Sequence, residues 1–116
     1  MVLQQKILLK IMVIWRLRGV VYNKYLDYDN LCELYQNYAI DYLANIDEFN
    51  FSKVYDLFRK YKFNYIEDII IKYLDVFEIN YRIVYDKINK LIKVLGTNYV
   101  DIIGEDMSYL EYIIRD

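Results

Sequence analysis

Apolar residues recur at intervals of three and four along most of the chain, which is the spacing of one face of an α-helix. Helix breakers are rare, because the sequence has no proline and only three glycines, Gly19, Gly96 and Gly104. Long helices joined by short turns follow from this pattern. The sequence therefore predicts an all-α fold, a compact stack of about five to seven helices in helical hairpins.

Candidate capping residues mark where most of the predicted helices begin. The first predicted helix, residues 3–18, is apolar on most sides, and we expect it to be buried. The second runs without interruption to Leu43. The predicted starts of the second and later helices are Asp29 or Asn30, Asn50, Asn64 with Glu67, Asn80, Thr97 or Asn98, and Asp106 or Ser108.

Two glycines are predicted to end helices. Gly96 ends the helix that Asn80 begins, because glycine accepts a left-handed backbone conformation, and Gly104 ends the next. The run IIIKYL, residues 69–74, also has the apolar continuity of a buried strand. Because a capping signal precedes it and no second strand-like run exists to pair with it, the pattern favours a helix.

Two segments of the chain are nearly the same, NFSKVYD at residues 50–56 and NYRIVYD at residues 80–86. Each begins with an asparagine that can cap a helix, and a Tyr-Leu pair precedes each, Tyr42-Leu43 and Tyr73-Leu74. Repeats of about this length are typical of stacked helical hairpins, which bury their apolar sides only against neighbours. We interpret the repeat as a degenerate duplication that carries architecture rather than chemistry.

The length of 116 residues and a hydrophobic content of 57% fit one folded domain, predicted to span residues 1–116. It comprises a basic apolar helix in residues 1–26, the hairpins of residues 27–95 and short helices in residues 96–116. All five charged residues of 1–26 are basic, whereas residues 27–116 carry ten basic and seventeen acidic residues. This acidic body argues against a nucleic acid partner, because phosphate binding needs a basic surface.

The sequence lacks the residues that most catalytic and metal sites need. It has no histidine, so Ser-His and Cys-His pairs and nearly all zinc sites are impossible. Cys32 is the only thiol, and its acidic neighbours Asp29 and Glu33 disfavour a reactive thiolate. The glycines are isolated, so no phosphate-binding loop is present. We therefore expect no catalytic residue, no cofactor and no metal ion, and a protein that is not an enzyme.

The chain has 15 tyrosines, which A/T-rich codons favour together with Ile, Asn, Lys and Asp. Those on the apolar lines of the predicted helices are expected in the core: Tyr35, Tyr42, Tyr55, Tyr73 and Tyr85. Others lie near predicted helix ends, where a ring covers apolar surface and still meets water, as interface residues do. These candidate partner contacts are Tyr22, Tyr25, Tyr28, Tyr99 and Tyr109.

Residues 31–74 contain a series of short motifs in a fixed order: Tyr42-Leu43, Asn50, Val54-Tyr55, Lys60-Tyr61 and Tyr73-Leu74. In this order they resemble the BACK domain, the helical region that follows a BTB domain, with its leading helix pair. The sequence is also similar to BTB-type proteins of giant DNA viruses of amoebae. The resemblance implies an adaptor, in which the BTB part dimerises and engages a cullin scaffold for ubiquitin transfer. No BTB domain fits into residues 1–30, so the chain would be either a stand-alone helical remnant of such an adaptor or the tail end of a split gene.

Three functions remain open, and a fourth, a small hydrolase, would require a pocket in which several carboxylates converge. The first is a non-enzymatic helical interaction module that binds a protein partner or a second copy of the chain. The second is a viral Bcl-2-like bundle that holds a partner helix in a groove, with IEDIIIKYLDVF, residues 66–77, as its central helix. The third is binding to a membrane surface through the basic apolar residues 1–20.

The cysteine content and the hydropathy of the N-terminal segment bear on location. A single cysteine fits a reducing compartment. The longest uncharged apolar run near the N-terminus, IMVIW at residues 11–15, is too short to span about 30 Å of hydrocarbon, and no small-residue cleavage site follows. The sequence predicts an intracellular, cytoplasmic protein, which would be in the host cytoplasm if it is viral.

Overall fold

The computed structural model describes residues 20–115, and these are helical with no β-strand. The all-α prediction is therefore confirmed, with seven α-helices in the described range. The predicted helix at residues 3–18 lies outside it. The described residues fall into two units, residues 20–48 and 49–115. The prediction that residues 1–116 form a single domain stays a prediction.

The first unit consists of a 3-10 turn at Tyr22–Lys24, helix α1 at Tyr28–Asn37 and helix α2 at Ile40–Ala44. Helix α1 begins earlier than predicted, because the side chain of Asp27, rather than Asp29 or Asn30, is its cap. The Asp27 Oδ1 accepts a hydrogen bond from the backbone N–H of Asn30 at 2.9 Å.

The predicted continuous helix through Leu43 is broken at Tyr38 and Ala39, both of which have extended backbone. In an unbroken helix Leu34 and Leu43, nine residues apart, would point about 180° away from each other. The break allows both leucines to be buried, at 0% and 1% exposure. The Tyr22 ring contacts Tyr35 of α1, and the Tyr22 hydroxyl donates to the Leu43 carbonyl of α2 at 2.8 Å, so both helices meet this ring.

The second unit begins in helix α3, whose core residues repeat at helical spacing, and continues through four more helices. Phe51, Val54 and Phe58 of α3 are fully buried, and the Phe77 ring stacks on Phe51 with 4.7 Å between ring centroids. The elements after the first unit are α3 at Glu48–Lys60, α4 at Ile66–Lys72, a 3-10 segment at Leu74–Glu78, α5 at Tyr81–Leu95, a 3-10 turn at Gly96–Asn98, α6 at Tyr99–Glu105, a 3-10 segment at Met107–Leu110 and α7 at Glu111–Ile114.

The isoleucine run of residues 69–71 is helical, as predicted, and all three side chains are buried. Its predicted cap is wrong, however, because Tyr65 occupies the capping position of α4 and no side chain caps it. Lys62 and Phe63 make the hydrogen bonds that end α3, and α4 begins at Ile66. Asn64 therefore lies one residue before the capping position.

Helix α3 ends in a Schellman motif that the sequence pattern does not predict. The Phe63 N–H donates to the Phe58 carbonyl and the Lys62 N–H donates to the Arg59 carbonyl, both at 3.0 Å. Lys62 takes the left-handed position, with φ of 71°. The Phe63 ring packs edge-on against Phe58 at 5.1 Å, which supplies the apolar contact of the motif.

Both ends of α5 lie where predicted, but Gly104, predicted to end the next helix, lies inside α6, which ends at Glu105. The Asn80 Oδ1 accepts from the Arg82 N–H at 2.9 Å, and Gly96 follows the last residue with φ of 79°. The ψ of Gly96 is −163°, so its backbone is extended rather than left-handed helical, and side-chain-bearing residues rarely adopt this combination. Asp106, also predicted as a cap, accepts from Ser108 N–H and hydroxyl. These two bonds to the carboxylate lower the pKa of Asp106.

Candidate interaction surface

The side chain of Asn50 joins the beginning of α3 to the beginning of α5. Its Nδ2 donates to the carbonyls of Phe77 and Ile79 at 2.9 and 2.7 Å, and its Oδ1 accepts from the Tyr81 N–H at 2.9 Å. Asn50 lies inside the first turn of α3, so the prediction that it caps its own helix is wrong. It caps α5 instead, and all three groups that it satisfies precede or open that helix.

The sequence repeat now has a physical explanation. Asn50 and Asn80, the first residues of the two similar segments, both hydrogen-bond the first turn of α5, through Tyr81 and Arg82 respectively. Asn80 caps the helix that it immediately precedes, whereas Asn50 caps a helix that begins thirty-one residues later. Both asparagines therefore act on the backbone at the start of α5.

The later parts of α3 and α5 are also in contact. Just past the end of α3, the Tyr61 hydroxyl donates to Asn89 Oδ1 at 3.1 Å, and the Tyr61 ring lies 6.4 Å from that of Tyr85. Burial is the main cause that raises the pKa of Tyr61 above its usual value. Because Asn50 meets Tyr81 and Tyr61 meets Tyr85 and Asn89, the two helices run in the same direction.

Two exposed rings, the half-buried ring of Tyr81 and three cations lie along these paired helices. We call them the aromatic surface: Phe49, Lys53 and Lys60 of α3 with Tyr81, Arg82 and Tyr85 of α5. Phe49 is 59% exposed, and its ring meets Tyr81 in a T-shaped contact at 6.1 Å. Tyr85, predicted to be a core residue, is 42% exposed. That prediction is wrong because the buried face of α5 passes through Val84 and Ile88 instead.

Each cation of the aromatic surface lies over a ring. The Lys53 Nζ is 5.3 Å from the centre of the Phe49 ring, and the Arg82 guanidinium is 5.4 Å from that of Tyr81. The Lys60 Nζ is 5.8 Å from the centres of both Tyr61 and Tyr85. Cation–π attraction and apolar stems hold these charges above the rings while leaving them in water.

The lysines of this surface form no ion pair with the carboxylate nearest to them in sequence. Asp56 lies three residues after Lys53 and four before Lys60, the spacing at which helical ion pairs form. Within residues 20–115 the structure contains no ion pair to Lys53, Lys60 or Arg82. The three positive charges therefore stay available to another molecule.

Of the five tyrosines proposed as partner contacts, three belong to the first unit and two to the second. Tyr22 is 1% exposed, so its prediction as a partner contact is wrong: the ring fills the core of its unit. The Tyr25 hydroxyl donates to Glu48 Oε1 at 3.1 Å, and the Tyr99 hydroxyl donates to the Tyr61 carbonyl at 2.6 Å. Tyr28 and Tyr109 are exposed, at 56% and 38%.

Sequence reasoning missed Phe49 and Tyr81 as surface residues. A usable signal was present: an aromatic residue followed at one or four positions by a cation, as in Tyr81-Arg82 and Phe49 with Lys53. Residues four apart on a helix are neighbours, so Phe49 and Lys53 are placed to stack. Phe49 was missed because the predicted helix begins at Asn50, one residue after it.

The second unit has two other surface features, a cleft and the contacts of Lys87. An open cleft of about 510 Å³ is lined by Lys72, Tyr73, Asp75, Glu111, Ile114 and Arg115. Arg115 and Glu111 form an ion pair at 3.1 Å in which the arginine is largely exposed. Lys87 donates to the carbonyls of Ile113 and Arg115 and so closes the end of α7.

Known proteins offer no match to this chain. No family model, no curated protein and no solved structure matches it. In the described part of the chain, no three His, Cys, Asp or Glu side chains are grouped as metal ligands would be, and no helix there has the length and hydropathy to cross a bilayer.

Proposed function

We propose that this protein is a non-enzymatic helical module that binds another protein through the aromatic surface. The observation that carries the proposal is the set of exposed rings on paired helices, with Phe49 and Tyr85 uncovered and cations stacked above them. Aromatic residues and arginine are the residues most enriched at protein–protein interfaces and among the contacts that dominate binding energy.

Rigidity of this surface supports the proposal. Asn50 fixes the start of α5 relative to α3, and Tyr61 fixes the later contact through Asn89. A surface whose backbone and rings are already held loses little conformational entropy on binding. The proposed site of action is the cytoplasm, and descent from a BTB/BACK-type adaptor is part of the same proposal.

Photocrosslinking tests the proposal directly. We would place p-benzoylphenylalanine at position 49 and, as a matched control, at position 94, because Val94 is 81% exposed and lies near the far end of α5. Both proteins would be irradiated in cells of the organism that encodes the chain. We expect one or a few proteins to crosslink from position 49 and not from position 94.

A second arm uses substitutions on the aromatic surface. The double variant F49A/Y85A should lose the crosslinked partner in affinity capture, whereas V94A/Y112A, which also removes exposed apolar groups, should retain it. Equal labelling from positions 49 and 94, or equal capture by the two double variants, would refute the proposed function.

A further inference from the structure

We infer that the partner segment bound by the aromatic surface is acidic, with apolar side chains among its carboxylates; this rests on the proposed function. The first ground is the state of Lys53, Lys60 and Arg82, which in the described residues have rings beneath them and form no ion pair. An arriving carboxylate would meet these cations without first breaking an existing ion pair.

The second ground is where the charge lies. Residues 49–115 carry ten basic and ten acidic residues, so this unit is neutral as a whole. Residues 53–62 hold four of the basic residues and one acidic residue, Asp56. The excess positive charge is therefore concentrated along α3, and Arg82 adds to it from the start of α5.

The third ground is that a single partner helix is long enough to contact both the rings and the cations of the aromatic surface. Phe49 and Lys60 are eleven residues apart in one helix, a distance of about 16 Å along its axis. A partner helix of about three turns covers this length, and it could place apolar side chains on Phe49 and Tyr85 with carboxylates on the cations between them.

Single-stranded nucleic acid also binds surfaces of rings and cations, but two observations disfavour it. Each cation already covers one face of a ring, which removes faces on which bases would stack. The chain also carries a net charge of −2, which opposes binding to a polyanion whose phosphates repeat along its whole length. An acidic peptide concentrates its charges over a short distance and brings its own apolar groups.

Fluorescence anisotropy with defined peptides tests the inference. The probe is a fluorescein-labelled peptide of about 16 residues with leucines at one helical face and glutamates elsewhere. Its control has lysine in place of every glutamate. We expect the acidic peptide to bind the full chain at least about tenfold more tightly than the basic peptide, and to weaken as salt is raised from about 50 mM to 300 mM.

Charge-reversal variants locate the binding. K53E/K60E should weaken binding of the acidic peptide at least about tenfold, while K90E/K93E, which changes the net charge equally on exposed positions of α5, should weaken it less than about threefold. The milder K53Q/K60Q variant repeats the test if reversal disturbs folding, which circular dichroism would detect.

Three results would overturn the inference. They are equal weakening by the two charge-reversal variants, equal affinity for the acidic and basic peptides, and binding of an oligothymidine of about 12 nucleotides in preference to the acidic peptide. The proposed function can survive this failure: a position-49 crosslink to a segment without carboxylates would remove the acidic partner and keep the interaction module.

Discussion

The side-chain oxygen of Asn50 accepts a hydrogen bond from the backbone N–H of Tyr81 at 2.9 Å, so a residue in α3 caps a helix that begins thirty-one residues later. The amide nitrogen of Asn50 holds the carbonyls of Phe77 and Ile79 at the same time. A single side chain thereby fixes the backbone that leads into α5.

Removal of the Asn50 amide should destabilise the protein more than removal of an ordinary helix cap. Asn50→Ala loses three partly buried hydrogen bonds, and we expect unfolding free energy to fall by about 2–3 kcal/mol. Asn80→Ala loses one exposed cap and should lower it by about 1 kcal/mol. Urea unfolding followed by circular dichroism measures both. Equal losses would contradict the cross-fold role of Asn50.

Replacement of Lys62 by glycine should stabilise the folded protein. Its φ of 71° costs a residue with a Cβ energy that glycine does not incur, so Lys62→Gly should raise the unfolding free energy by about 0.5–1 kcal/mol. Lys53→Gly, in the interior of the same helix, should lower it by about 1 kcal/mol. Thermal unfolding of the two variants should therefore shift the midpoint in opposite directions, and a shift in the same direction would argue against the Schellman motif.

Gly96 should tolerate neither alanine nor asparagine. An added Cβ would meet no atom within 4 Å, so the whole effect comes from the backbone. A φ of 79° with ψ of −163° is accessible to glycine almost alone, and Gly96→Ala should lower the unfolding free energy by about 1–3 kcal/mol. Gly96→Asn should behave alike, because asparagine tolerates the left-handed helical region but not this extended one. Recovery of stability by asparagine in urea unfolding would show that the conformation is left-handed helical.

Gly104 and Tyr65 should be energetically coupled. A Cβ at position 104 would lie 3.0 Å from Cε1 of the Tyr65 ring, which its hydroxyl anchors to the Val100 carbonyl. We expect Gly104→Ala to destabilise by about 1 kcal/mol in the natural chain. In a Tyr65→Ala background it should stabilise by a similar amount, since the higher helix propensity of alanine then acts alone. A double-mutant cycle measures the coupling, and additive effects would contradict it.

Alkaline pH should reduce stability through Tyr65. Burial, with a smaller contribution from the charge of Asp101, raises the pKa of Tyr65 to about 12. The unfolded chain releases this proton near pH 10, so the unfolding free energy should fall as pH rises from about 10 to 12. Tyr65→Phe lacks the proton and should show a shallower fall of the urea midpoint. Between about pH 7 and 9 the two proteins should differ by a constant amount, and parallel curves above pH 10 would contradict the raised pKa.

The features that could be predicted from sequence are those decided within one helical turn. Asn80 and Gly96 bound α5 because the cap and the glycine act on their immediate neighbours. The helical state of the isoleucine run follows from the same local reasoning. Asn50 begins a segment identical at four of seven positions to the one that Asn80 begins, but its partners are twenty-seven to thirty-one residues away, and no local rule distinguishes the two.

The breaks in the helices were harder to predict than the helices themselves. Tyr38 and Ala39 interrupt the predicted second helix without proline or glycine, because the burial of Leu34 and Leu43 outweighs the local preference for helix. Lys62 follows the end of α3 in the left-handed conformation, a position that glycine usually occupies. The aromatic surface depends on these ends and on the Asn50 contacts, so it could not be assembled from periodicity.

The contacts of Asn50 also bear on how the chain can be shortened. A fragment that begins after residue 50 would retain every residue of α5 and its own Asn80, yet the Tyr81 N–H and the Phe77 and Ile79 carbonyls would lose their shared partner. The first turn of α5 would then fray, and with it Tyr81 and Arg82 would lose their fixed positions. Truncation boundaries for expression should therefore be set on the N-terminal side of α3.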